Sequence, residues 1–280
     1  YGGVSAAANS YGFLAGNDSY AEVFVGRCSA ETPEQVATQV ERVINYEKNP
    51  LTATDWFSRH AGIASSQGPG DDDELDYEHM RNIQTDLLNY TYTYVAELFD
   101  GSQGNLDAPG NPTPAMVAGE LNAGIGMIAY TGHGSSISWS TSGFSSSDVN
   151  QLTNTEMLPF IWSVACYNGT FTGSTCFAEA WLRATDTDGN PTGAIAALMS
   201  TVSQSWDPPM DAQDEMVDIM AESYTDNIKR TYGGISVNGC MKMNDTYGAD
   251  GSYETNAWMC FGDPSLVVRT AFPQTMMVAH

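Results

Sequence analysis

The sequence predicts an α/β domain, a mostly parallel sheet with helices on both faces. Three observations carry that prediction. Short apolar runs at 126–131 (GMIAYT), 159–165 (PFIWSVA) and 194–199 (AIAALM) are continuous rather than alternating, as in strands buried on both sides. Helically patterned segments separate strand candidates, the order expected of a parallel sheet built through crossovers. Each run also ends in a polar loop rather than running on into more apolar chain.

Along the chain, 21–26 (AEVFVG) reads as a first strand. Thr32-Pro33 opens a helix to about Glu47, with Thr as N-cap and Pro at the first helical position. Residues 61–66 form a short strand candidate, followed by a glycine-rich acidic loop over 67–76. Helical patterns cover about 78–90 and, after the Pro112–Pro114 turn, about 114–122, with 101–111 as a turn-rich connector. A helix beginning near Cys176 separates the last two apolar runs, and a long helix from Asp211 to about Tyr224 follows them. No internal repeat or low-complexity linker divides the chain, so 1–280 reads as one domain.

Composition narrows the function. Hydrophobic residues make up 42% of the 280, ample for a core of that size. The 34 acidic residues against 10 basic give a net charge of −24, a surface that repels phosphate backbones and excludes nucleic-acid binding. The same field suits a secreted or saline setting and attracts cationic peptides or calcium. No run approaches the roughly 18 apolar residues of a membrane span. The chain opens at Tyr1 without a basic n-region or apolar h-region, and so reads as a processed or trimmed product. Cys28, Cys166, Cys176, Cys240 and Cys260 lack zinc-site spacing. Their odd number leaves at least one thiol free, and Cys240 with Cys260 is a candidate pair in an oxidising compartment.

The polar chemistry gathers where parallel strands end, which is where open α/β sheets bind ligands. Gln67–Asp76 follows the strand candidate at 61–66; Gly132-His133-Gly134-Ser135 follows 126–131; Cys166-Tyr167-Asn168-Gly169 follows 159–165; Ser200–Ser205 and Trp206-Asp207-Pro208-Pro209-Met210 follow 194–199. Cys166 closes a buried strand at a turn, so its sulfur belongs at the rim, and a thiol needs a base to become a nucleophile. Among His60, His79, His133 and His280, His133 sits between two glycines, 33 residues before Cys166, about one crossover away. The amides of Gly134 and Cys166 are natural donors to an oxyanion.

These blocks resemble the gingipain family of cysteine peptidases. The resemblance rests on Tyr130–Ser135, Val164–Gly169, Cys176–Ala180, Gln204–Trp206 with Met210–Met216, Asn227–Gly233, Phe261–Leu266 and Glu22–Arg27, and covers nearly the whole chain. It implies a caspase-like fold and peptide hydrolysis through a thioester, with His133 as base and acid, Cys166 as nucleophile and Gly134 in the oxyanion hole. It implies arginine over lysine before the scissile bond, since Asp76 of Glu74-Leu-Asp76-Tyr-Glu-His79 takes the guanidinium-holding place. Trp206 would cover the substrate stem, and Met210 stands where the lysine-specific branch has an aspartate; Asp207 and Asp211 flank the pocket and keep lysine open. Gln67 occupies the place of a histidine-orienting glutamate, with Asp71, Asp72 and Asp73 as alternatives. Asp18, Tyr20 and Glu22 match a calcium segment, and Glu74 with His79 a second; such calcium would be structural, with no cofactor in catalysis. The resemblance further implies a secreted or cell-surface enzyme, matured from a zymogen through a cleaved N-terminal fragment or propeptide, in which 1–60 is a truncated N-terminal subdomain. The departure at Gln67 motivates a competing reading, a silent relative that binds peptides or calcium. A clostripain-like or legumain-like peptidase of other specificity is a third.

Overall fold

The computed structural model describes residues 7–273. Its strands are β1 (Arg59–Ala64), β2 (Tyr94–Phe99), β3 (Met127–Thr131), β4 (Gly134–Ser135), β5 (Ser138–Trp139), β6 (Phe160–Val164), β7 (Ala196–Ser200) and β8 (Trp258–Phe261). Six of them form one sheet in the order β2-β1-β3-β6-β7-β8, while β4 and β5 make a small hairpin. All neighbours in the large sheet run parallel except β7 and β8. The expected α/β class is therefore what the chain adopts.

Successive strand residues point to opposite faces. Met127, Ala129, Phe160 and Trp162 enter one core, whereas Ile128, Tyr130 and Ile161 enter another. The first core is closed by α2 (Asp76–Tyr90), α6 (Asp207–Met220) and α7 (Tyr232–Tyr247), the second by α3 (Pro114–Ala123), α4 (Ser146–Val149) and α5 (Phe177–Arg183). Helix α1 (Pro33–Lys48) starts as expected, with Thr32 Oγ1 accepting from the Gln35 amide and Pro33 in the first turn. Helix α8 (Ala249–Ala257) leads into β8.

Buried Arg42 of α1 donates to the carbonyls of Trp181, Ala184, Thr192 and Ala194, tying α1 to the segment that feeds β7. Burial lowers its pKa to about 9. Arg42→Ala would leave these acceptors without their donor, and urea unfolding is expected to show a loss of about 3 kcal/mol.

Several elements differ from expectation. The strand at 21–26 does not form: only Arg27 pairs with β8, through Arg27 N–H to Cys260 O (2.9 Å) and Gly262 N–H to Arg27 O (3.0 Å). A Cβ at Gly26 would run into Gly262 O and Pro264, so the segment entering Arg27 packs closely on the chain that follows β8. Helix α6 begins at Asp207 rather than Asp211, because Pro208 and Pro209 fall in a first turn whose amides need no helical partner. It stops at Met220, and Tyr224 turns back so that its hydroxyl reaches both Glu215 oxygens at 2.9 Å. Helix α2 begins at Asp76, two residues early, with Glu78 accepting from the Leu75 amide at 2.9 Å. Cys240 and Cys260 are buried free thiols and all five cysteines are unpaired, so the candidate pair does not form a disulfide. No described helix is long and apolar enough to cross a membrane.

The chain runs from β1 outward to β2, then returns past β1 to lay down β3, β6 and β7. Strand order thus reverses between β1 and β3, and the crevice above their carboxyl ends is where this architecture places a ligand.

Candidate active site

Gln67 and His133 face each other across that crevice, with His133 Nε2 and Gln67 Oε1 3.0 Å apart. None of the aspartates at 71–73 takes this place: Asp71 accepts from Tyr247 Oη at 3.3 Å, and Asp72 and Asp73 are exposed. Cys166 arrives one strand over. Thr131 of β3 pairs with Val164 of β6, so His133 and Cys166 each lie two residues beyond the same register point. Neighbouring strands are about 4.8 Å apart, which puts the two side chains on one rim.

The turn after the cysteine is tightly specified. Tyr167 has φ 62°, a left-handed conformation costly for a bulky residue, and it bends the chain sharply behind Cys166. The Tyr167 amide donates to Val202 O (2.9 Å) and the Ala165 amide to Gln204 Oε1 (2.9 Å). Cys166 Sγ, partly exposed, lies 3.6 Å from Ser203 Oγ and 3.8 Å from Gln204 O.

Gly134 sits directly on this turn. A Cβ there would come within 2.9 Å of Ala165 Cβ, Asn168 Nδ2 and Cys166 O. Ser140 N–H donates to His133 O at 2.9 Å across the β4–β5 hairpin. Amides alternate in direction along a strand, so Gly134 N–H points away from β5. Buried Asn168 locks the two loops together. Its amide donates to Ser135 O (2.7 Å) and Ser138 O (3.1 Å), and its oxygen accepts from Ser163 Oγ at 3.0 Å. Sequence reasoning gave Asn168 no role, since an asparagine two residues past a strand is also ordinary turn chemistry.

Asp76 opens α2 and is fully buried, 0% exposed. Ser65 Oγ donates to one of its oxygens and Trp206 Nε1 to the other at 2.7 Å. Burial pushes the Asp76 carboxyl up to about 6, opposed by those two hydrogen bonds and by His79 and His133 nearby. The Trp206 ring also stands edge-on to His133, with centroids 5.1 Å apart. Trp206 therefore bridges the acid and the imidazole. Met210 is also fully buried, in the apolar core below, with its sulfur against Gly70.

The two candidate cation segments behave differently. Asp18 Oδ1 accepts from the Tyr20 amide (3.1 Å), and Glu22 Oε2 from the amides of Leu14 and Ala15 (2.7 and 3.2 Å), all near the surface. Glu74 Oε2 and His79 Nδ1 lie 4.0 Å apart. His79 is turned into the core, with Nε2 2.9 Å from Gln213 Oε1 and Nδ1 3.4 Å from Asp214 Oδ2. Gln213 spends its amide on Trp162 O and Tyr130 O, so its oxygen accepts and His79 must donate. Burial pushes the imidazole down, but Asp214, Gln213 and Glu74 outweigh it and raise its pKa to about 9. Among the described residues no three His, Cys, Asp or Glu side chains form a metal-binding group.

The model of "Peptidase family C25" matches residues 4–269. Gingipain R2 of Porphyromonas gingivalis is 45% identical over 271 residues, 96% of this chain and 36% of that protein, so the chain spans about a third of its relative's length. The crystal structure of the Arg-specific cysteine proteinase gingipain R superposes with a TM-score of 0.90 at 44% identity, covering 96% of this chain and 60% of that one. A complex of the pro- and mature domains of Porphyromonas gingivalis RgpB gives a TM-score of 0.89 at 43% identity, covering 96% and 62%. The similarity is thus to the arginine-specific gingipains, and the chain belongs to peptidase family C25.

Proposed function

We propose that this chain is the catalytic unit of a cysteine endopeptidase that cleaves peptide bonds after a basic residue, arginine before lysine. The observation that carries the reading is the shared register that delivers His133 and Cys166 to one rim beside a buried carboxylate. Gln67 Oε1 accepts from His133 Nε2–H, which leaves the Nδ1 lone pair to take the Cys166 proton. The thiolate then attacks the scissile carbonyl. Its oxygen, turning to oxyanion, is met by the amides of Gly134 and Cys166. His133 returns the proton to the departing amine, leaving a thioester, and activates the water that hydrolyses it. Gln67 orients the ring as a neutral partner and so stabilises the imidazolium less than a carboxylate would.

Asp76 faces the substrate guanidinium, and Trp206 flanks the side-chain stem. The enzyme is read as secreted or cell-surface, in keeping with its strongly acidic composition; the solved pro- and mature-domain complex of one relative supports control by a propeptide. Structural calcium belongs, in this reading, to Asp18, Tyr20 and Glu22, whose oxygens suit a hard cation once the Glu22 amide contacts rearrange.

A panel of fluorogenic peptides ending in Arg, Lys or Asn, assayed under reducing conditions with calcium or with a chelator, tests these points. Turnover is expected with Arg above Lys and none with Asn. The chelator is expected to lower the melting temperature more than the initial rate. Silence toward every peptide would favour a binding protein instead.

A further inference from the structure

Residues 203–206 form the wall between the candidate nucleophile and the candidate specificity acid, and three of the four touch the site. Ser203 lies against Cys166 Sγ, Gln204 against the Ala165 amide and Trp206 against Asp76. Ser205 is the exception. It faces away, and both its amide (2.9 Å) and its hydroxyl (2.5 Å) donate to Glu254 Oε1 of α8. Glu254 is 2% exposed, and its second oxygen, Oε2, is buried without a partner. It borders a groove of about 600 Å³ lined also by Asp207, Tyr247, Asp250 and Tyr253.

We propose that Glu254 is a positioning residue for peptide cleavage: by clamping Ser205 it holds the 203–206 wall where Ser203 meets Cys166 and Trp206 meets Asp76. A buried carboxyl with one oxygen orphaned costs the fold stability, so it is a poor choice as a structural clamp. Burial also raises its pKa, as expected of an acid held where charge is unwelcome. What the residue gains in return is a fixed Ser205, and the neighbours on either side of Ser205 touch the site. This inference rests on the peptidase reading above.

Glu254→Leu, Glu254→Gln and Ser205→Ala separate the possibilities. Glu254→Leu removes the acceptor and fills the space with apolar volume. It is expected to raise KM for an Arg peptide at least tenfold with a melting temperature unchanged or higher, a split that a purely structural role would not produce. Glu254→Gln keeps the accepting oxygen and is expected to stay within threefold of wild type. Wild-type KM and kcat in a folded Glu254→Leu protein would overturn the proposal. If that variant fails to fold, Ser205→Ala decides: a threefold or larger rise in KM supports the clamp, and none refutes it. Absence of turnover in wild type would count against the peptidase reading itself.

Discussion

Cys166→Ala is expected to lower kcat/KM for an arginyl peptide by on the order of 10⁴-fold or more, because the acyl-enzyme route closes entirely when the nucleophile is removed. The fold should scarcely notice. Cys166 is partly exposed, and its sulfur makes only long contacts to Ser203 and Gln204. The strained turn behind it is held by the Tyr167 and Ala165 amides, which do not involve the sulfur. A melting temperature within about 2 °C of wild type therefore accompanies the loss, a shift worth about 1 kcal/mol at most. Activity above a tenth of wild type in this variant would mean that another group attacks the substrate.

Asp76→Asn should move activity and stability in opposite directions. Truncating one charge of a buried hydrogen-bonded pair costs about 2–5 kcal/mol, so preference for an Arg peptide over its neutral citrulline analogue should fall by about 10²–10³-fold. Stability runs the other way. The folded carboxyl titrates at about 6 against an ordinary 3.8, so the folded state holds its proton more tightly than the unfolded chain does. Stability contributed by the neutral form is then complete below about pH 4 and is lost as pH rises to about 6. At pH 7 the ionised group costs on the order of 3 kcal/mol, which the uncharged asparagine avoids. Urea unfolding should show the variant more stable at pH 7, with the advantage gone below pH 4. In the wild-type enzyme the Arg-to-citrulline ratio should decline as pH drops below about 6, since only the carboxylate recognises a cation. A ratio independent of pH between 5 and 8 would remove Asp76 from the recognition of arginine.

The sheet was legible because its three central strands are apolar without interruption, and because Thr32-Pro33 and Thr113-Pro114 mark helix starts with a cap and a permitted proline. The rim chemistry was legible for a related reason: polar residues placed directly after buried strands have nowhere to go but the carboxyl edge. What escaped was decided by tertiary contact. Strand β2 carries Glu97 in its middle, and only the Arg81 guanidinium at 2.7 Å makes that charge acceptable in a strand. Helix α7 carries Gly233, Gly234 and Gly239, poor helix formers. Yet a side chain at Gly239 would collide with Met216 and Ala212 of α6, so the glycine is what lets the two helices touch. In the site, Asp76 could be named from its motif, but its complete burial could not. Met210 looked like pocket lining because it follows Trp206 by four residues; that same spacing places it one turn deeper, inside the core.

The indole proton on Asp76 has a bearing on ligand selection. In the proposed reading Asp76 floors the specificity pocket, and that floor is never bare: a newcomer must trade against a donor the protein already supplies. A guanidinium brings a fork of several N–H groups and can replace one bond with two, whereas an ammonium trades a single bond for a single bond with a heavier loss of hydration. Choice between the two basic side chains then reduces to an exchange reaction inside the pocket, and inhibitors with uncharged heads start that exchange at a deficit.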